Sequence, residues 1–285
     1  QRGALEEYSE QMRQALQNIL QTHLDERGWA QAQLSIKEGG LGMRDPSKHA
    51  PAAYLASTQG TRAQCCGIRK SYGTKGFEQE RAEGELREEV GANASLKGPT
   101  GKGGQKYLSG LIDARLRDGI EAGPGADGAY DQHLALTRQP GAGAWLTADD
   151  GRSLETDLFR TALASRLRLR LADKAARLPY SADIVDAFGN HALACACGVD
   201  RTVRHNKFRN IMWEESRMGG MDTQKEKANL LPGRRALDGS KGAAGRRPAD
   251  KWWKSGEGGK GVSWDFAVTS GMRADRLKDL GKDSR

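Results

Sequence analysis

Apolar residues recur at steps of three and four from the start of the chain. Leu5, Tyr8, Met12, Leu16, Ile19 and Leu20 fall on one side of a helix predicted over residues 4–24, which Gly28 should stop. Asp45-Pro46 pairs an N-cap residue with a proline at the first helical position and predicts a second helix toward Ser57. That helix would bury Ala50, Ala53, Tyr54 and Leu55, with Pro51 bending or shortening it. Beyond Gly60 the periodicity fades. Two short helical patterns, near 78–90 and 107–120, flank a glycine-rich stretch at 98–104, so residues 60–142 are expected to form a flexible, largely disordered linker. Periodicity returns over 156–171 with Leu158, Phe159, Leu163, Leu167 and Leu171 on one stripe, and over 201–218 with Val203, Phe208, Ile211 and Met212 to bury. The run from Val262 to Thr269 then has the composition of a strand, preceded by a turn carrying Gly256, Gly258, Gly259 and Gly261.

Composition tempers this picture. Of 285 residues only 37% are hydrophobic and 6% aromatic, while 37 are glycine, so core material is scarce and uneven. The formal charge is +8, and residues 201–260 hold 15 lysines and arginines against 7 acidic residues, which accounts for the whole excess. Cations gathered in this way attract a phosphate backbone; a solvated basic surface is the plainer reading. No apolar run approaches the roughly 20 residues that span a bilayer, so no membrane partner is expected, and the location is expected to be intracellular and nuclear. Cys65, Cys66, Cys195 and Cys197 form two close pairs rather than a secreted framework, so reduced thiols are expected. A chain that begins at Gln1 reads as one segment of a longer open reading frame.

Candidate chemistry centres on the hairpin. Asp250 ends a proline-primed segment and Asp265 opens the apolar run, so antiparallel pairing would bring two carboxylates to neighbouring strand ends. Mg²⁺, or Mn²⁺ in its place, takes oxygen ligands and keeps several waters, so two carboxylates and a substrate phosphate can hold it. Two aspartates flanking a hairpin also read simply as turn and strand-end residues. Other motifs fail on inspection. The glycines at 98–104 lack the Gly-Lys-Ser/Thr of a phosphate-binding loop, and Ala148-Asp149-Asp150 lacks the aromatic residue that precedes the aspartates of a polymerase palm. No polymerase active site is expected.

Residues Asp186-Ala187-Phe188-Gly189-Asn190-His191-Ala192-Leu193-Ala194-Cys195, then Arg204-His205-Asn206, then Arg247-Pro248-Ala249-Asp250, then Asp265-Phe266-Ala267-Val268-Thr269-Ser270 follow one another in an informative order. This series resembles the tail of LINE-type, non-LTR retrotransposon reverse transcriptases that carry a zinc knuckle and a restriction-like, PD-(D/E)xK endonuclease. Residues 29–44, Trp-Ala-Gln-Ala-Gln-Leu-Ser-Ile-Lys-Glu-Gly-Gly-Leu-Gly-Met-Arg, resemble the region after the polymerase palm of the same proteins. Together the blocks cover about half the chain.

The resemblance implies an α+β chain in four parts: a thumb-like helical region at 1–59, the linker at 60–142, a helical region with a degenerate zinc knuckle at 143–200, and an incomplete, small α/β endonuclease domain at 201–285. His191 and Cys195 would be the surviving half of the knuckle; the Cys-x-x-Cys that should precede them is missing, so no bound zinc is expected. Asp250 and Asp265 would be the Mg²⁺ ligands, with Glu226 as a third carboxylate on the preceding helix. The pattern puts a lysine two residues after Asp265, where Ala267 stands, leaving Lys278 as the nearest substitute. Arg204, His205, Lys207, Arg209, Arg246, Arg247 and Lys251 would contact nucleic acid, with Trp252 and Trp253 as a stacking platform or as core and edge residues. The implied function is that of a DNA- and RNA-binding C-terminal fragment of a reverse transcriptase protein with an impaired metal-dependent DNA endonuclease. The competing expectations are a non-catalytic basic nucleic-acid-binding protein and a transposon relic without stable function.

Overall fold

The computed structural model describes residues 2–70, 76–99, 103–123, 128–147, 154–172, 176–177, 184–191, 200–227, 249–254, 261–266 and 272. The chain is mostly helical with a small antiparallel sheet, an α+β composition, and it divides into two compact units. The first comprises Gln1–Lys174, Ala187–Gly189 and Gly271–Arg285; the second comprises Ala175–Asp186 and Asn190–Ser270. No helix among the described residues is long and apolar enough to cross a membrane.

Unit 1 contains seven α-helices among its described residues: α1 (Arg2–Leu20), α2 (Glu26–Gln33), α3 (Pro46–Ile68), α4 (Phe77–Val90), α5 (Gly104–Ala122), α6 (Gly128–Thr137) and α7 (Thr156–Arg166). Local chemistry sets several ends. Asp25 accepts from Gly28 N at 2.7 Å to cap α2, and Asp45 accepts from Ser47 N at 3.0 Å at the start of α3, directly before Pro46. Pro51 does not end α3, which runs 23 residues; Pro51, Ala52 and Leu55 are buried, and Leu55 joins a cluster with Leu86, Leu96, Leu108 and Ile112. Packing outweighs the amide hydrogen bond that a proline removes.

That cluster corrects the expected linker. Residues 60–142 contain the end of α3 together with α4, α5 and α6, and they supply core residues. Helix α4 contributes only Ala82 and Leu86 as buried residues, too few for a clear periodic signal, yet α3 and α5 present matching residues to it. The acidic first turn of α4, with Glu78 and Glu80, and Arg87 in its last turn also suit the helix dipole. Helix α7 is shorter than expected. It ends at Arg166 because Arg168 adopts φ 50°, so Leu167 and Leu169 still reach the cluster around Leu16, Leu20 and Trp29, whereas Leu158 and Leu171 are exposed.

A buried polar network closes the segment between α2 and α3. The Arg166 guanidinium donates to the carbonyls of Gly40 (3.1 Å), Ala142 (3.1 Å) and Ile36 (2.9 Å). Gln31 Nε2 donates to Arg166 O at 2.8 Å, Tyr130 donates to Gln31 Oε1 at 2.6 Å, and His133 Nε2 donates to Arg166 O at 2.9 Å. Gly40 is required here, since a Cβ would overlap the Leu34 carbonyl oxygen.

Unit 2 holds a short antiparallel pair, β1 (Ala176–Arg177) with β2 (Ile184–Val185), then helix α8 (Asp200–Met218), then a sheet in the order β3 (Thr223–Lys225), β4 (Lys251–Lys254), β5 (Gly261–Trp264). In the sheet Lys225 pairs with Lys251, and Lys251 with Trp264. Of the expected strand from 262 to 269, residues 262–264 lie in β5, residues 265 and 266 follow it without strand structure, and residues 267–269 lie outside the described residues. Helix α8 forms as expected, but Val203, Phe208 and Ile211 are exposed rather than buried, and Met212 is half-buried. Its polar and aromatic residues, not an aliphatic stripe, make the described contacts to the sheet.

Candidate acidic site at the end of the small sheet

The register places three acidic residues one position beyond the last row of the sheet. Glu226 follows β3, Asp250 precedes β4 and Asp265 follows β5, and Glu226 N donates to Asp250 O at 3.0 Å. Antiparallel pairing therefore brings Asp250 and Asp265 to adjacent strand ends.

Asp250 is buried and fully engaged. Its Oδ1 accepts from His205 Nε2 of α8 at 2.8 Å, and its Oδ2 accepts from Phe266 N at 2.7 Å. Asp265 lies at the exposed edge, at the strand end adjacent to that of Asp250. Interaction with the Asp250 carboxyl raises the Asp265 pKa most, followed by partial desolvation and the like charge of Asp250; His205 and the Phe266 N–H pull the other way.

Glu226 does not complete a ligand set. It follows β3 rather than sitting on the preceding helix, adopts φ 45°, and pairs with Arg209 of α8. His205 and Arg209, four residues apart on one helix face, each hold one acidic residue of the row. Among the described residues no group of three or more His, Cys, Asp or Glu side chains is arranged to hold a metal ion.

The expected nucleic-acid contacts are scattered. Lys207 is exposed, Arg204 is half-buried and partnered, and Arg209 is tied to Glu226. Lys251 departs most from expectation. It is completely buried, its Nζ bonded to Ser216 and set 5.0 Å from the Trp253 ring centre and 4.8 Å from that of Trp264, so it is not placed to meet a phosphate. Burial holds its ammonium below the ordinary lysine pKa. Arg246, Arg247 and Lys278 lie outside the described residues. So does Cys195 of the expected zinc pair; at its other member, Asp186 accepts from His191 N at 2.8 Å and from Asn190 N at 3.3 Å.

Several residues around the site, among them Trp213, Phe208, Phe266 and Trp264, were not singled out from sequence as part of it, and Trp253, expected to stack or to pack, joins them. Trp213 donates to Thr223 O at 3.0 Å and joins α8 to β3. Phe208, Phe266, Trp264 and Trp253 form a run of edge-to-face contacts with ring centres 5.3, 6.3 and 4.9 Å apart. The available signal was the alternation Trp264-Asp265-Phe266, which puts an aromatic residue on either side of the exposed acid. No family model matches this chain, and no curated protein matches it.

Proposed function

We propose that unit 2 binds nucleic acid and carries a weak, metal-dependent phosphodiester-cleaving site, the chain being a C-terminal segment of a non-LTR retrotransposon reverse transcriptase protein. The observation that carries this reading is the Asp250–Asp265 carboxyl pair at the end of the β4–β5 hairpin, in a region with a strong basic excess. The motif order from residue 186 to residue 270 supports the family assignment, with the helices of unit 1 in the place of a thumb.

The donor set fits a hard divalent cation. Asp265 offers an exposed carboxylate and Asp250 a second one at the adjacent strand end, the oxygen ligands such an ion takes. Bound Mg²⁺ would activate water and offset charge on the scissile phosphate. His205 orients Asp250 through Oδ1, and the Phe266 N–H fixes the other oxygen, so the carboxylate is held in one rotamer. Both oxygens are then already in use, and Lys251, the nearest lysine in sequence, is sealed against Ser216 and two tryptophans. Slow cutting follows from that arrangement.

The test pairs a gel-shift titration over salt with a nicking assay on supercoiled plasmid in Mg²⁺ or Mn²⁺. Each neutralised phosphate should contribute a log–log slope of about −0.9 on duplex DNA. Asp265→Asn, at an exposed position, should abolish nicking while leaving affinity unchanged or slightly higher. Absent binding at low salt, or nicking indifferent to Asp265→Asn, would overturn the proposal.

A further inference from the structure

The aromatic run beside the acid pair has a chemistry of its own. Four of the six tryptophans, Trp213, Trp252, Trp253 and Trp264, lie in the unit that also carries the basic excess. A run of rings that served only as core would be sealed. Here the two ends of the Phe208–Phe266–Trp264 segment are open, with Phe208 39% and Trp264 41% exposed. The run is also tied to the acids: Phe266 donates its own N–H to Asp250, Trp264 and Phe266 flank Asp265 in sequence, and Phe208 lies three residues from His205 on α8. Lys207, which precedes Phe208 in sequence, is exposed.

Partly exposed rings in a unit with a basic excess suit unpaired nucleobases on a phosphodiester strand, because every base has a π-face to stack while the backbone needs only positive charge. A closed duplex keeps its bases stacked on each other and offers these rings nothing. We propose that Phe208 and Trp264 stack unpaired bases, so that unit 2 takes single-stranded or frayed nucleic acid in preference to closed duplex. This rests on the nucleic-acid-binding reading above and adds the substrate class.

Fluorescence anisotropy with the full chain tests it, using labelled oligothymidylate, oligouridylate and a blunt duplex of equal length. Single strands should bind more tightly than duplex and quench tryptophan emission, with thymidylate against uridylate telling DNA from RNA preference. Trp264→Leu should weaken single-strand binding by about 5-fold or more and leave duplex binding unchanged. Because Trp264 also packs on Trp253 and Lys251, Phe208→Ala on the exposed helix face is the companion variant and should act in the same direction. Equal affinity for single strand and duplex, or variants that weaken both alike, would overturn the stacking proposal while leaving phosphate binding intact. No binding to any probe would overturn both readings, and self-association abolished by Phe208→Ala would make the open rings a protein interface instead.

Discussion

The two units bury different things. Unit 1 buries leucines: Leu24, Leu34, Leu55, Leu86, Leu108, Leu134 and Leu167 are almost completely inaccessible, and its buried Arg166 and Gln31 are satisfied by backbone carbonyls. Unit 2 buries Lys251, Asp250, Thr223 and, of hydrophobic residues described there, only Ala249. Its helix meets its sheet through the Arg209–Glu226 ion pair, the His205–Asp250 and indole hydrogen bonds and edge-to-face rings. Apolar burial stabilises at about 25 cal/mol per Å² without regard to direction, whereas buried charges contribute only when each partner is in place. Unit 1 should therefore respond to lost volume, and unit 2 to lost partners.

The sharpest test is in unit 1. Leu108→Ala should cost about 2–5 kcal/mol through lost burial and a residual cavity. Hydrogen exchange followed peptide by peptide reads each unit separately, and loss of protection should cover α3, α4 and α5. An effect below about 1 kcal/mol would break the comparison, because the three-helix cluster would then not be a packed core.

Acid should act on the units with opposite signs. Burial holds His133 down at about 4 against an ordinary 6.5, so the unfolded chain takes up a proton first; the stability its neutral form supports is whole above 6.5 and is lost as pH falls through 4, by about 3 kcal/mol in all. Asp265 has the reverse linkage: its pKa is raised, so its contribution is present below the ordinary 3.8 and is lost as pH rises through the folded value. Urea unfolding of wild type and His133→Gln at pH 7 and pH 5 should show a flatter profile in the variant. Identical profiles would mean that His133 is not neutral and buried in the folded protein.

Removing a partner in unit 2 comes next. Asp250→Ala leaves the His205 ring and the Phe266 N–H without their acceptor, at about 1–3 kcal/mol. Exchange protection should fall in α8 and the β4–β5 hairpin and stay unchanged in α3–α5. A loss shared by both units would show that they unfold as one.

The smallest effect should come from Lys251→Met. Exchanging a buried charge for an apolar side chain of similar length is often neutral or stabilising, and Ser216 keeps its bond to Met212 O, so a change within about 1 kcal/mol is expected. A thermal melt checks it. Destabilisation by more than about 3 kcal/mol would assign Lys251 a net anchoring role inside its ring of tryptophans.

Much of the helical framework was legible because its signals are local. The Asp45-Pro46 start of α3 and the extent of α8 needed only capping chemistry and composition. The region from 60 to 142 was misread for a physical reason: the helical patterns of α4 and α5 were visible, but α4 buries only Ala82 and Leu86 and a glycine-rich stretch separates the two, so no shared core could be read from them. Their core exists only when α3 lies across both. The fate of Lys251 was equally hidden, since a lysine beside an aspartate looks like a phosphate contact until Ser216 and Trp264, distant in sequence, close around it.

The sequence alone determined the alternation of helical segments, the basic excess near its C-terminal third and the pairing of Asp250 with Asp265, because each depends on nearest-neighbour periodicity, composition or a hairpin turn. Tertiary structure alone decided that Glu226 goes to Arg209, that His205 holds Asp250, that Phe208 and Trp264 remain open, and that leucines from three weak helices make a core. Those outcomes depend on which distant side chains reach one another, and period and propensity along a single chain carry no record of that.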